Sequence, residues 1–252
     1  MGLTNVAQKC HMAPREAWAE VIQGHFDSLL QSQREHHDLQ EQMKDFDRVR
    51  ELIGVRIATY DLDPSIIVSR EDLPGTLSYL CIDLPSSVVS LPPKKAAEWG
   101  VPLDELFAIG LENVRRTCVP ELTRGEFEPG VPYLALTGSS FFVATHALML
   151  RRWQGFEGAH GALIAIPHRH AVICHPINDI QSVKAVHNLG IVAHNMEREG
   201  PGSISANLYW WHDGRFTLLP YAIGNGGFNF KPPDEFVDLM NRLAEEGERG
   251  GG

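Results

Sequence analysis

At 252 residues the chain is long enough to bury a sizeable core, and 43% apolar against 21% charged residues is globular usage that excludes a disordered polymer. Lys plus Arg number 22 against 32 Asp plus Glu, a formal charge of -10 with no basic stripe, so the phosphate backbone of a nucleic acid is repelled on average. The apolar stretches fall short of the roughly 20 residues that span a bilayer, and the first residues lack the apolar core of a secretion signal, so a cytoplasmic protein without membrane contact is expected.

Pro14 stands where a first helical residue tolerates proline, and Trp18, Val21, Ile22, Phe26, Leu29 and Leu30 follow at helical spacing. The polar run at 31–44 separates this amphipathic helix from a second stripe of Phe46, Val49, Leu52 and Ile53. Residues 1–54 therefore read as an N-terminal helical extension, two helices joined by an exposed segment.

From Arg56 onward RIATY, SIIVS, TLSYLCIDL and SVVSL are rich in β-branched residues and broken by Pro, Gly and Asp, which predicts strands. Leu103, Leu106, Phe107, Gly110, Leu111 and Val114 then recur at helical spacing, with Pro102 before them, Asp104 and Glu105 in the first turn and Arg115 and Arg116 at the end. PYLALTG, SFFVATHAL, GALIAIP and AVICHPI predict four further strands, the last two joined by the tight connection His168-Arg169-His170. Residues 180–199 predict a helix that stops at Gly200-Pro201-Gly202. LYWW and RFTLLP flank the hairpin signal Asp213-Gly214, and Pro233, Asp234 and Glu235 open a last helix carrying Phe236, Leu239, Met240 and Leu243. Strands arrive in pairs with helices inserted singly between them. The fold class is therefore α+β: an antiparallel or mixed β-sheet packed by helices over residues 55–246, with a flexible tail at 247–252.

The stretch from Leu84-Pro85 through Trp99-Gly100-Val101, the helix LDELFAIGLENVRR, the strand pair GALIAIPHRHAVICHP and the later SISANLYWW together resemble the YtpQ-like bacterial domain of unknown function, over roughly residues 75–222. The likeness lies in the order of elements and in short patterns: a helix ending in an Asn-Val-Arg type sequence, then a strand, then an apolar strand ending in a Pro-x-Arg-x turn. It implies the fold, leaves the N-terminal helices as an addition, and carries over no catalytic residue.

Of the 12 histidines, His168, His170 and His175 crowd one hairpin with Cys174, and His146 joins them if its strand is a neighbour. Metal binding needs ligands converging within about 2 Å of one ion. HExxH and paired cysteines are missing from the pattern, and His187 and His194 stand about 10 Å apart along a helix, so no metal ligand and no cofactor are assigned. Acid–base chemistry is the alternative. His146, His168 and His170 would exchange protons near neutrality, Arg169 would hold an anionic group, and Ser139 or Ser140 would serve as hydroxyl donor or nucleophile. The plainer reading is that Ser139 and Ser140 form a turn and the two histidines sit solvated at a hairpin tip, since TGSSF is not the GxSxG elbow.

GPGSIS, with Ser203 and Ser205, offers backbone N–H groups and hydroxyls to a phosphate or carboxylate, but it follows a helix C-terminus, whose partial charge is negative, and reads better as a helix stop. Gly224-Asn225-Gly226-Gly227 lacks a following helix and reads as a loop. Tyr209 and Trp211 face opposite to Trp210 on a strand, so at least one packs in the core. The run Glu35-His36-His37-Asp38 reads as a solvated helix face or a partner-binding arm. Cys10, Cys81, Cys118 and Cys174 are scattered singly and read as reduced, mostly buried thiols.

Two function classes follow. The favoured one is a non-catalytic binding or adaptor domain whose sheet face or N-terminal helices hold an unknown protein or small-molecule ligand, a homodimer through those helices being one arrangement. The alternative is a hydrolase or lyase acting on a small polar or anionic metabolite, its histidines gathered in one cleft.

Overall fold

The computed structural model describes residues 3–59, 62–63, 65–224 and 227–250. The chain begins with α1 (Leu3–His11), α2 (Trp18–Gln42) and the short α3 (Phe46–Val49). α2 runs unbroken through most of the polar segment, because its Gln, Glu, Leu and Arg residues are good helix formers and no Gly or Pro interrupts residues 25–42. The side chains at 28–37, including Leu29, Leu30 and Glu35, His36 and His37 of the Glu35-His36-His37-Asp38 run, fall outside the described residues. Ile22 and Phe26 are exposed, whereas Leu39 and Met43 are buried against the body, where Trp99 Nε1 donates to the Met43 carbonyl at 2.8 Å.

β1 (Ile53–Thr59), β2 (Ser69–Arg70), β3 (Thr76–Asp83) and β4 (Val88–Ser90) form the first sheet, each of the others pairing antiparallel with β3. SIIVS thus yields only a two-residue strand; its Ile67 and Val68 are buried, but Ile66 turns out to solvent. α4 (Pro93–Glu98) and α5 (Leu103–Thr117) follow, and α5 lies so close to β1 that a Cβ on Gly110 would stand 2.9 Å from Val55 Cγ2. Asn113 on the same helix donates to the carbonyls of Arg50 and Ile53 at 2.8 and 2.9 Å, fixing the entry into β1.

The second sheet is a six-stranded antiparallel array of β5 (Glu121–Glu128), β6 (Val131–Thr137), β7 (Ala162–Ala165), β8 (Ala171–Pro176), β9 (Leu208–His212) and β10 (Arg215–Leu219), in the order β10-β9-β7-β8-β6-β5. β5 gives little apolar signal because ELTRGEFE is an edge strand, and its charges guard that edge. α6 (Ser182–Glu199), the hairpin β11 (Tyr221–Gly224) with β12 (Gly227–Phe230), and α7 (Asp234–Gly250) complete the chain. α7 continues as helix through most of the expected tail, and Asn225 and Gly226 fall outside the described residues.

SFFVATHAL is not a strand. Val143–Arg152 forms a 3-10 helical segment wedged between the sheets, with Val143, Ala144, Thr145, His146, Ala147 and Leu150 all buried. Burial on every side gives an apolar run without period, which spacing cannot assign to helix or strand. Thr145 Oγ1 donates to the Val55 carbonyl at 2.7 Å, tying the wedge to the first sheet.

Tyr79 and Cys81 of the first sheet pack with Leu136, Ile164, Val172, Tyr209 and Trp211 of the second around Phe142 and Val143. The far side of the second sheet, with Leu163, Ile173 and Trp210, is covered by α6 and α7, and the far side of the first by α5, α4 and the end of α2. The α+β class therefore stands as two stacked antiparallel sheets, each backed by helices. All four cysteines are free and buried, and among the described residues no helix is long and apolar enough to cross a membrane.

Candidate anion-binding site

The β7–β8 connection delivers His168, Arg169 and His170 to the junction of the two sheets. The backbone of Arg169 is pinned from both sides: its N–H donates to the Gly202 carbonyl at 3.0 Å, and its carbonyl accepts from the Ala144 N–H at 3.1 Å. The GPGSIS loop therefore packs on this turn, and glycine is needed at the contact. Gly202 has a φ of 73°, and a Cβ there would stand 2.7 Å from Arg169 Cδ and 2.8 Å from its Nε and Nη1. The Arg169 guanidinium carbon rests 4.4 Å from the centre of the Phe141 ring.

Arg169 Nε donates to His170 Nε2 at 2.9 Å. A guanidinium has no lone pair to offer, so Nε2 must be the acceptor and the ring proton sits on Nδ1, 3.1 Å from both the Gly138 and the Ser140 carbonyls. Burial first, and then the charge of Arg169, pushes the His170 pKa down. His168 Nδ1 accepts from the His170 backbone N–H at 3.2 Å, which leaves its proton on Nε2. Burial, followed by its neighbours His170 and Arg169, lowers its pKa to about 4. The two imidazoles are half-buried, neutral and ordered, rather than solvated at a hairpin tip.

Arg56 enters from the first sheet, directly across from Tyr79 in the β1–β3 register. Its guanidinium carbon lies 5.8 Å from the Tyr79 ring centre and 5.9 Å from that of Phe141, so both arginines flank one phenyl ring. Arg56 Nε is buried and has no hydrogen-bond partner. Ion pairs among the described residues engage Arg48, Arg70, Arg115, Arg116, Arg152 and Arg249, but neither Arg56 nor Arg169. Burial and the like charge of Arg56 together bring the Arg169 pKa down to about 10. Asp83, half-buried at the end of β3, has its pKa raised by burial, with Arg56 pulling the other way. Cys118, bonded to Ser140, is pushed up by burial in the same neighbourhood.

The remaining sequence candidates divide. Ser139 is exposed, and Ser140 Oγ accepts from the Phe142 N–H at 3.2 Å as a turn residue does. Ser203 Oγ donates to the Glu197 carbonyl at 2.6 Å, and Ser205 Oγ accepts from the Asn207 N–H at 3.0 Å, so both hydroxyls serve the backbone around the α6 stop. His146 lines a separate cavity of about 190 Å³ with Arg115, Cys118, Val119, Pro120, Arg152 and Trp153, its Nε2 bonded to the Cys118 carbonyl at 3.1 Å. His175 is buried on the opposite face of its sheet from Cys174, between the Pro132 carbonyl at 2.7 Å and Ser182 Oγ at 3.0 Å. Among the described residues no three His, Cys, Asp or Glu side chains are placed to hold a metal ion. Arg56, Tyr79, Asp83 and Phe141 had no motif to announce them. The signal was a single arginine inside the apolar run GVRIAT, where a charge needs a reason.

No protein-family model, curated protein or solved structure matches the chain.

Proposed function

We propose that the protein is a binding domain for a small organic anion, held between Arg56 and Arg169 against Phe141 and Tyr79. One observation carries this reading: two half-buried guanidiniums converge on one phenyl ring without a carboxylate paired to either among the described residues. Like charges brought together and partly desolvated raise each other's cost, and a carboxylate or phosphate between them removes it while offering bidentate acceptors to two fixed forks.

Binding is favoured over acid–base catalysis because the imidazole in contact with Arg169 is already engaged at both ring nitrogens. His170 uses both ring nitrogens, one to hold Arg169 and one on two carbonyls, and His168 uses Nδ1 on the backbone. The free, buried cysteines support a reducing, cytoplasmic-type setting.

The test is calorimetric titration with phosphate and with short carboxylates at low ionic strength. Micromolar to millimolar binding is expected, lost in Arg169→Met and Arg56→Met and kept in part by the lysine variants. Equal heats from wild type and both methionine variants would end this reading.

A further inference from the structure

We infer that the protein has a second ligand site, separate from the arginine pair, for a small anion that carries an aromatic ring. It is the cavity of about 340 Å³ where the end of the 3-10 wedge meets α5, β2 and the β9–β10 hairpin. Neither Arg56 nor Arg169 lines it.

Three guanidiniums, those of Arg70, Arg151 and Arg152, share this cavity with one carboxylate, Asp72, so its wall carries two net positive charges in a chain of formal charge -10. Two of the three are already placed. Arg70 Nε lies 3.0 Å from Asp72 Oδ1, and its guanidinium carbon lies 4.1 Å from the centre of the Phe107 ring. Arg152 stands 4.0 Å from Glu112, an acid that Arg115 Nε holds more closely, at 2.6 Å. Arg151 differs from both. Its guanidinium carbon rests 5.7 Å from the Trp211 ring centre, and no carboxylate among the described residues pairs with it. An arginine seated on a ring without a counter-charge, in a cavity shared with two others, is a receiver for a carboxylate or phosphate.

The rest of the lining is apolar. Leu148 and Met149 of the wedge, Leu111 of α5, and Trp211 and Phe216 of the hairpin all border the cavity. Leu148 to Arg152 are consecutive and every one of them lines it, whereas a regular helix of about three residues per turn sends such a run round its axis. The wedge leaves helical geometry at Met149, with φ -128° and ψ 30°, and apolar and charged side chains come to border the same space. A bare inorganic anion would leave the apolar wall in water, and a neutral hydrocarbon would leave Arg151 unpaired. A ring joined to one acidic group meets both, the acid at Arg151 and the ring on the apolar wall. An aromatic ring suits this wall better than an alkyl chain, because Phe216 offers a ring and Met149 a thioether, and a rigid ligand loses few rotamers on binding.

The experiment is titration of the full chain carrying Arg169→Met, which disables the arginine pair, with phenylacetate, phenyl phosphate, acetate and inorganic phosphate, read by calorimetry and tryptophan fluorescence. Phenylacetate or phenyl phosphate is expected to bind at least about tenfold tighter than the ring-free anion of the same acid and to change the fluorescence. Whichever binds better assigns the acidic group. Adding Arg151→Met should weaken that binding about tenfold, with Arg151→Lys keeping part of it and the thermal midpoint unchanged, since the residue is exposed. Equal affinity for ring-bearing and ring-free anions, or binding indifferent to Arg151→Met, overturns the inference. Binding absent from the Arg169→Met chain overturns it as well, and if wild type binds, the first site alone stands. Binding that survives Arg169→Met and is lost with Arg151 upholds this cavity, whatever the titrations of the arginine pair return.

Discussion

His170 is a bridge between Arg169 and the 138–140 turn: its Nε2 takes the Arg169 Nε–H at 2.9 Å, and its Nδ1–H faces two carbonyls at 3.1 Å. The ring thus sets the direction in which the guanidinium points. His170→Phe keeps an aromatic ring near Phe141 and removes the bridge. It should weaken binding of the anion about tenfold, because a ligand would then have to order Arg169 itself. Titration of the variant against wild type decides this, with circular dichroism as the check on folding. Unchanged affinity would mean that Arg169 is held by Phe141 and Gly202 alone.

Acid should destabilise the fold through its buried imidazoles. Burial is the first cause that lowers the pKa of His146, His168, His170 and His175, with His168 at about 4. The unfolded chain takes up protons on these rings near the ordinary value of about 6.5, and the folded chain resists until lower pH. Their contribution is therefore complete above about pH 6.5 and is lost progressively as pH falls toward 4. Thermal midpoints at pH 7.5 and pH 5 should differ by several degrees, the lower one at pH 5, and His168→Gln should flatten the difference. A midpoint independent of pH across this range is the contrary result.

The helix α5 and the β7–β8 turn show how much the sequence disclosed. α5 was legible to within a residue because apolar stripe, flanking proline and charge polarity agree over fifteen residues. The turn was legible as a cluster of polar residues, and the expectation that Arg169 holds an anion remains the core of the proposed site. What spacing could not supply was the second sheet's position over the first, since Arg56 and Arg169 are 113 positions apart in the chain and meet only through the stacking of β1 on the β7–β8 turn. The buried 3-10 wedge misled for the same reason. A segment apolar on all sides has no periodicity to read.

Gly110→Ala on α5 should destabilise, although alanine is about 1 kcal/mol better than glycine inside a helix. Its Cβ would meet Val55 Cγ2 at 2.9 Å and the Gly54 carbonyl carbon at 3.2 Å, so the helix must lift off β1. Overpacking of this kind costs about 1–3 kcal/mol, enough to outweigh the propensity gain. Urea midpoints give the sign, and a stabilised variant would show that α5 can shift freely.

Trp153→Phe should be nearly neutral. The indole Nε1 is buried with no acceptor, so replacing the ring with a hydrocarbon removes an unsatisfied donor while shrinking the packing against His146 and Phe156. The two effects oppose each other at about 1–3 kcal/mol apiece. A loss well beyond that range, read from denaturant midpoints, would indicate that the N–H has a partner in solution.

Gly202 and Gly130 separate backbone strain from site geometry. Both hold positive φ, 73° and 81°, so alanine at either position incurs the same left-handed penalty of about 1–2 kcal/mol. Their surroundings differ. A Cβ at 130 meets nothing within 4 Å, whereas one at 202 meets the Arg169 side chain at 2.7 to 2.8 Å and must displace it. Gly130→Ala should therefore lower the unfolding midpoint and leave anion affinity unchanged. Gly202→Ala should lower the midpoint by a comparable amount and weaken affinity at least tenfold, because the guanidinium no longer lies over Phe141. Equal affinities in the two variants would show that the close approach of the 200–205 loop has no part in aiming Arg169.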